Sequence, residues 1–377
     1  AHLAYTVALA EEASPHLARS KQLDWLERLE QEHANIRAAL RWALDHRQQE
    51  QATRIGGTIW RFWWMRGHMV EGRRWLAEAL AHTHGIEPAT RAKAARGAGS
   101  LANQQGDYST AREYHTLSLE IEQELENLPG IANALGSLAR VARNQRDHNE
   151  ARKLLEESVA IHQKLGNDVG VANSIDGLAE VAQHLGEYDR ARHWYEQSLP
   201  LHRKVGNTLG LAIGLLNLSD MACAQGNDDL AEPDAREALQ LFQSQGNKLG
   251  MAAGHNVLGT IAYHRGNYSL ARTHYAEAVT LLQAIHVQHQ LVLVLLGLIN
   301  VAGALKQYKA IAQVSVFLER LNEAAPSSVV IGGMQEYEQT RDAAQHALGE
   351  QAWLQARVVG ESLTLDKAIK CVLDATA

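Results

Sequence analysis

The chain of 377 residues is short of the features that mark several common kinds of protein. Its two cysteines, Cys223 and Cys371, lie far apart, so a disulfide framework is not expected and a reducing, cytoplasmic setting fits. Only three Phe and few β-branched runs are present, which argues against sheet, whereas plentiful Ala, Leu, Glu and Gln suit helix. A formal charge of −7 leaves no basic excess, so direct nucleic-acid binding is not expected. The longest apolar run, Leu291 to Leu305, carries Asn300 and is too short to span a bilayer, so no membrane partner is expected either. The opening segment, AHLAYTVALAEEASPHL, has acids where a secretory signal needs basic and then apolar residues. It also lacks an initiating Met, as a fragment or processed chain would.

Catalytic signatures are missing too. No Gly-x-x-x-x-Gly-Lys-Ser/Thr phosphate loop occurs, nor Gly-x-Ser-x-Gly, nor His-Glu-x-x-His. Gly97-x-Gly99 lacks the strand that a dinucleotide fingerprint requires. Among nineteen His, the pairs His82/His84 and His286/His289 have no Cys or carboxylate at ligand spacing, and a zinc site wants three or four ligands. The expectation is a protein that is not an enzyme, with no cofactor and no metal.

What the chain does have is a period of 40 residues. Gly130, Gly170, Gly210 and Gly250 share one register, as do Gly166, Gly206 and Gly246. Tyr108, Tyr188, Tyr268 and Tyr308 hold another, with His148 and Asp228 in the intervening copies. Ala111-Arg112, Ala151-Arg152, Ala191-Arg192 and Ala271-Arg272 hold a third. Periods of this length mark stacked-repeat proteins. Within the unit from Gly166 to Asn207, one apolar helical stripe runs from Val171 to Leu185. A second resumes at Ala191, Trp194, Tyr195 and Leu199 after the turn Gly186-Glu187-Tyr188-Asp189. Gly206-Asn207 closes the unit with residues suited to left-handed φ. One such hairpin leaves a face bare, and stacking on its neighbours covers it.

With small Ala179 and Ala191 where helices approach, and aromatic Tyr195 one turn on, the unit resembles the tetratricopeptide repeat in its 40-residue form. The implied fold is all-α: a right-handed superhelical solenoid of helical hairpins with helical caps. In order, residues 1–47 read as an N-terminal helical linker or cap, with a helix from Tyr5 to Leu17 and a longer one from Leu23 to His46. Residues 48–87 read as a degenerate repeat, 88–325 as six regular repeats and 326–377 as a C-terminal helical cap after Ala325-Pro326-Ser327-Ser328. The copy at 208–247 is the least regular: Asp228 replaces the turn Tyr, Glu232 replaces Arg, and Pro233 predicts an irregular helix start. Pro200, well inside a second helix, predicts a kink or early end.

The two ends sharpen the resemblance. ALAEEASPHL, WLERLEQEHANIRAALRWAL and IWRFWWMRGHMVEGRRWLAEAL, within residues 8–80, are similar to a segment of bacterial STAND-class signal-transduction ATPases, some of them transcriptional regulators. The tail ALGEQAWLQARVVGESLTLDKAIKCVL is similar to their closing segment. The resemblance implies a sensor arm that restrains an attached ATPase until a protein, peptide or small-molecule ligand binds. The rival expectation is a freestanding adaptor for protein–protein interaction.

First helices of stacked repeats line the inner face, which places the candidate groove at Asn133, Asn173, Asp176, Asn256, Arg140, Glu180, Asp220, Arg143, Gln183, Tyr263, Asn144, His184 and His264. Asp176, Glu180 and Gln183 share one helical face, with Arg140 and Arg143 facing them from the preceding repeat. Such a groove would clamp an extended peptide or a polar small molecule. Trp60, Trp63 and Trp64 with Arg54, Arg61, Arg66, Arg73 and Arg74 form an aromatic-basic cluster. Packing between head and repeats is its ordinary role. The same face, chiefly Arg61, Trp63, Trp64, Arg66 and Arg73, is where an ATPase domain would dock.

Overall fold

The computed structural model describes residues 2–17, 22–82, 85–285, 287–324 and 334–376, and every element among them is a helix. The head holds α1 (His2–Ala13), α2 (Gln22–Gln31) and α3 (His33–Asp45), followed by the pair α4 (Gln49–Met65) and α5 (Met69–Leu80). Six hairpins come next: α6 (Pro88–Gln104) with α7 (Tyr108–Glu124), α8 (Leu128–Asn144) with α9 (His148–Lys164), and α10 (Asp168–His184) with α11 (Tyr188–Val205). They continue as α12 (Thr208–Ala224) with α13 (Asp228–Ser244), α14 (Lys248–His264) with α15 (Tyr268–Ala284), and α16 (Gln288–Ala304) with α17 (Tyr308–Ala324). Three helices end the chain: α18 (Met334–Leu348), α19 (Glu350–Gly360) and α20 (Leu365–Ala375). The helices form two compact units, Ala1–Leu201 and His202–Ala377.

The periodic residues each have a physical task. At the turns, Gly106, Gly166, Gly186, Gly206, Gly226, Gly246 and Gly266 hold φ between +63° and +77°, the left-handed region that costs a side chain least when there is none. The following Asn is used twice. Asn167 caps α10 by accepting from the Gly170 N–H at 3.1 Å, and its amide donates to His162 Nδ1 at 3.2 Å. Asn207 repeats both bonds with Gly210 at 3.1 Å and His202 at 3.0 Å. The second glycine register follows from close approach. A Cβ on Gly170 would lie 2.4 Å from His162, one on Gly210 2.5 Å from His202, and one on Gly250 2.2 Å from Phe242. Each of these glycines lets the next hairpin settle onto a large side chain eight residues earlier.

The Ala-Arg register divides inward and outward. Ala111, Ala151, Ala191 and Ala271 are fully buried where paired helices touch. Arg112 donates to Glu150 at 2.7 and 2.8 Å and to Gln145, while Arg152 donates to Glu187 at 2.7 Å, so each guanidinium ties one hairpin to the next.

Three local expectations meet the structure. The helix proposed from Leu23 to His46 is two helices, broken at Glu32, whose ψ of 1° turns the chain. The Glu32 side chain accepts from Asn35 Nδ2 at 2.7 Å, which holds the break. At Pro200 the expected early end is absent, and α11 runs on to Val205. Pro200 and Glu196 are both exposed, so the carbonyl that loses its partner faces water. The start of α13 is irregular as expected: Asn227 makes no side-chain cap, and the Leu230 N–H bonds its carbonyl in a tight turn at 3.0 Å. The proposed break at 325–328, His84 and His286 lie outside the described residues.

The apolar run in α16 is explained by burial. Leu291, Leu295, Leu298 and Ile299 are enclosed within a core shared with Tyr275, Tyr337, Trp353 and Val372. Among the described residues no helix is long and apolar enough to cross a membrane.

Candidate ligand-binding face

In each hairpin the first helix buries its small and aliphatic residues against its partner and its neighbours. On α8, for example, Ala134, Leu135, Leu138 and Ala142 are buried, while Asn133, Arg140, Arg143 and Asn144 keep accessible surface. Within each unit, successive first helices keep polar side chains of this kind accessible.

In the first unit, Arg143 forms an ion pair with Glu180 of the next first helix, as the facing arrangement predicts. Asn144 donates to Asn103 Oδ1 at 3.0 Å, and His184 stacks on His148 with ring centroids 5.5 Å apart. Burial and the nearby Arg143 lower the His184 pKa. Asn133 and Asn173 are exposed, and Gln183 is partly so. The Nε of Arg140 is buried without a hydrogen-bond partner.

Around Arg140 four cations gather. Burial lowers the pKa of Arg61 on α4, Lys93 and Arg96 on α6, and Arg140 on α8. Arg96 and Arg140 lower that of Arg61 further, and Arg96 and Arg61 that of Lys93, while Glu122 acts the other way on Arg96 and Glu11 on Lys93. Among the described residues none of these four forms an ion pair; Lys93 donates to Thr58 at 3.1 Å, and Arg61 lies 4.5 Å above the Trp60 ring. Beside them His115 is fully buried with both ring nitrogens unpartnered. Burial, with Arg140 and Arg96 alongside, pushes its pKa down to about 3. It occupies the register of Tyr195, Leu155 and Tyr275, so it is a core residue kept neutral.

In the second unit, Asp220 and Asn256 come together in a cleft of about 180 Å³ across α12, α14 and α16, floored by Leu216 and Leu293 and flanked by Asn217 and Gln290. Asp220 keeps exposed surface at the cleft, and the protein packed around it raises its carboxyl pKa. Tyr263 and His264 lie at the far end of α14. The Tyr263 hydroxyl is pushed up to about 12 by burial and nearby Glu336. His264 Nδ1 lies 3.0 Å from Asp228 and 3.9 Å from Cys223 Sγ.

The aromatic-basic cluster separates into core and surface. Trp63 is 0% exposed, pressed against Gly72, and so belongs to the interior and presents no docking surface. Trp64 is 39% exposed and stacks near Trp60 at 6.5 Å. Arg66 lies 3.8 Å from Glu30, and Arg73 pairs with Asp107 and donates to Gln105 at 2.9 Å.

The model of the tetratricopeptide repeat matches residues 90–164, 130–204, 168–244 and 210–284, overlapping windows that cover more than half of the chain. The chain belongs to the tetratricopeptide-repeat family. No curated protein sequence matches it. Among solved structures, it is similar to the apo form of the quorum sensor NprR from B. thuringiensis, with TM-score 0.62 and 15% identity over 98% of each chain. It is also similar to aspartyl phosphate phosphatase F from Bacillus subtilis, with TM-score 0.55 and 10% identity over 89% of this chain and 94% of that one. A third is a Rap protein complexed with Competence and Sporulation Factor, with TM-score 0.51 and 10% identity over 74% and 93%. At these identities the likeness shows the fold.

Within a tetratricopeptide scaffold the residues missed by sequence reasoning have a simple position. Lys93 and Arg96 stand one period before Asn133 and Gly136, so extending the groove columns back by one repeat finds them. Asn217 and Gln290 carry no such signal, since the cleft they edge depends on how three helices lean together.

Proposed function

We propose that the chain is a non-catalytic sensor arm whose first-helix face receives an acidic protein or peptide segment. The observation that carries this reading is the row of Arg61, Lys93, Arg96 and Arg140. Among the described residues these four cations form no ion pair, although Glu122 lies near Arg96 and Glu11 near Lys93, and they stand on a chain that is acidic as a whole. Removing a cation from bulk water is costly unless an anion or hydrogen-bond acceptor compensates, and a carboxylate-bearing ligand would do so with bidentate geometry at each arginine. In the second unit, Asp220, Asn217 and Asn256 would bind amides or a basic group. Asn133, Asn173, Asp176, Glu180, Gln183 and His184 would edge the face and set register.

The setting that the two ends resemble supports a regulatory role on an attached STAND-type ATPase, as restraint relieved by ligand. Ligand favours one arrangement of the arm, and that arrangement no longer docks on the ATPase. Residues 1–47 and 326–377 would then close the two ends of the repeat array, as terminal caps do. Arg61, Trp64, Arg66 and Arg73 would lie at the docking face. The test is ATPase activity of the protein encoded by the whole reading frame, with and without residues 88–377. Raised basal activity after removal supports restraint, and unchanged activity excludes it. A reading frame that starts at this chain supports the freestanding adaptor.

A further inference from the structure

Two departures from the repeat pattern converge with a histidine on one spot in the second unit. The turn position held by Tyr108, Tyr188, Tyr268 and Tyr308 is Asp228 in the 208–247 copy. The column that carries Arg143, Gln183 and Tyr263 is Cys223 there. The residue that closes the following first helix is His264, where the 208–247 copy has Ala224. They come from the end of α12, the start of α13 and the end of α14, and their ligand atoms all lie within 4.8 Å of one another.

We propose that Cys223, Asp228 and His264 form a binding site for a thiophilic divalent cation of the zinc class. The geometry is close to what such an ion needs. In tetrahedral coordination with bonds of about 2.0–2.3 Å, sulfur and nitrogen ligands sit about 3.6 Å apart, and nitrogen and oxygen ligands about 3.4 Å. Here Cys223 Sγ is 3.9 Å from His264 Nδ1, and His264 Nδ1 is 3.0 Å from Asp228 Oδ1. Shifts of a few tenths of an ångström bring these two separations to the expected values, and the third, Cys223 to Asp228, lies within 4.8 Å. Sulfur, imidazole and carboxylate together favour zinc-class ions over magnesium or calcium, which take oxygen.

The surroundings favour a cation as well. Asp220 and Glu336 add negative charge near Cys223. The nearby guanidinium of Arg265 is committed to Asp229 at 2.8 Å and Glu232 at 2.5 Å. Cys223 is a free, buried cysteine, and an ordinary thiol carries its proton at neutral pH. Binding of the dication would displace that proton to solvent and leave a thiolate bound to metal. Three protein ligands leave the fourth position to water or to a donor atom of a bound partner.

The other histidine–carboxylate cluster, Glu30, His33 and His68, is different in kind. Arg66 stands 3.8 Å from Glu30, and Arg37 holds the adjacent Glu71 at 2.7 Å, so positive charge already fills that neighbourhood. Local spacing in the sequence could not reveal the Cys223 site, because its cysteine and histidine are 41 residues apart.

The test is cobalt titration of the full chain after chelator treatment. One Co²⁺ per chain, with a sulfur-to-cobalt charge-transfer band that zinc abolishes, is the expected result. Cys223→Ser removes the band, and Cys371→Ser keeps it. His264→Ala and Asp228→Tyr weaken binding at least roughly tenfold. Asp228→Tyr restores the residue that four other repeats carry at this turn, so its fold is preserved. Zinc should also slow alkylation of Cys223 in the unmodified chain while leaving Cys371 reactive, a readout that needs no variant. Absence of the band, its persistence in Cys223→Ser, or equal alkylation of Cys223 with and without zinc overturns the proposal.

Discussion

Arg265 donates to Glu232 at 2.5 Å across the boundary between consecutive hairpins, with the charges reversed relative to Arg152 and Glu187. Glu232 stands where other copies have arginine, and Arg265 stands in the register of Gln145, which accepts from Arg112. The least regular repeat therefore keeps its link to the next one by exchanging donor and acceptor.

This exchange makes a double-mutant cycle informative. Both side chains are partly exposed, so Glu232→Ala and Arg265→Ala should show a small favourable coupling in chemical denaturation. Hydrogen bonds from Arg265 and Arg236 lower the Glu232 pKa. Its stabilising contribution is therefore present above the unfolded carboxyl pKa, near 4.5, and fades as pH falls below it. Coupling that is unchanged at pH 3 contradicts the assignment.

The two glycine registers should respond differently to alanine. Gly170→Ala drives a methyl group to 2.4 Å from the His162 ring, and overpacking of this kind costs about 1–3 kcal/mol, with a local shift of α10. Gly166→Ala meets no atom within 4 Å, and its cost of about 1–2 kcal/mol comes from φ of +64° alone. Conversely Arg146 and Lys306 hold φ of +64° and +59° at the same kind of turn, so Arg146→Gly or Lys306→Gly should raise stability by up to about 1 kcal/mol. Thermal unfolding of the single variants separates these cases.

His115 is expected to make the first unit acid-sensitive. Its folded pKa of about 3 lies below the ordinary 6.5, so the unfolded chain takes up the proton first. The stabilisation is complete above pH 6.5 and is lost as pH falls from there toward 3, at up to about 1.4 kcal/mol per pH unit. His115→Leu, the residue type of Leu155 in the same register, removes two unpartnered nitrogens and should raise stability while flattening this dependence. An unchanged pH profile in the variant contradicts the role given to His115.

Much of the fold was legible because the chemistry repeats. Gly-Asn at the turns, alanine at the helix contacts and the apolar stripes of α6 to α17 each report a local requirement, and local requirements can be read from spacing. The break at Glu32 escaped because the apolar stripe of α2 and α3 runs through it without a glycine or proline. The site was legible only in part. The pairing of Arg143 with Glu180 follows from register, since both lie on first helices one repeat apart. The burial of Trp63 does not, because Gly72 accepts its ring from a neighbouring helix. Cys223, Asp228 and His264 meet only after three helices have stacked.

The central claim is that the first-helix faces, and above all the cationic row in the first unit, hold the partner. The most direct measurement is the affinity of acidic peptides, selected from a displayed library against the full chain, for Arg96→Ala/Arg140→Ala and for a control altered on a second helix, Glu157→Ala. The expected result is selection of acidic sequences whose affinity falls at least roughly a hundredfold in the double variant and is unchanged in the control, as loss of charge-assisted contacts requires. Peptides that bind the double variant as tightly as the original chain would contradict the account.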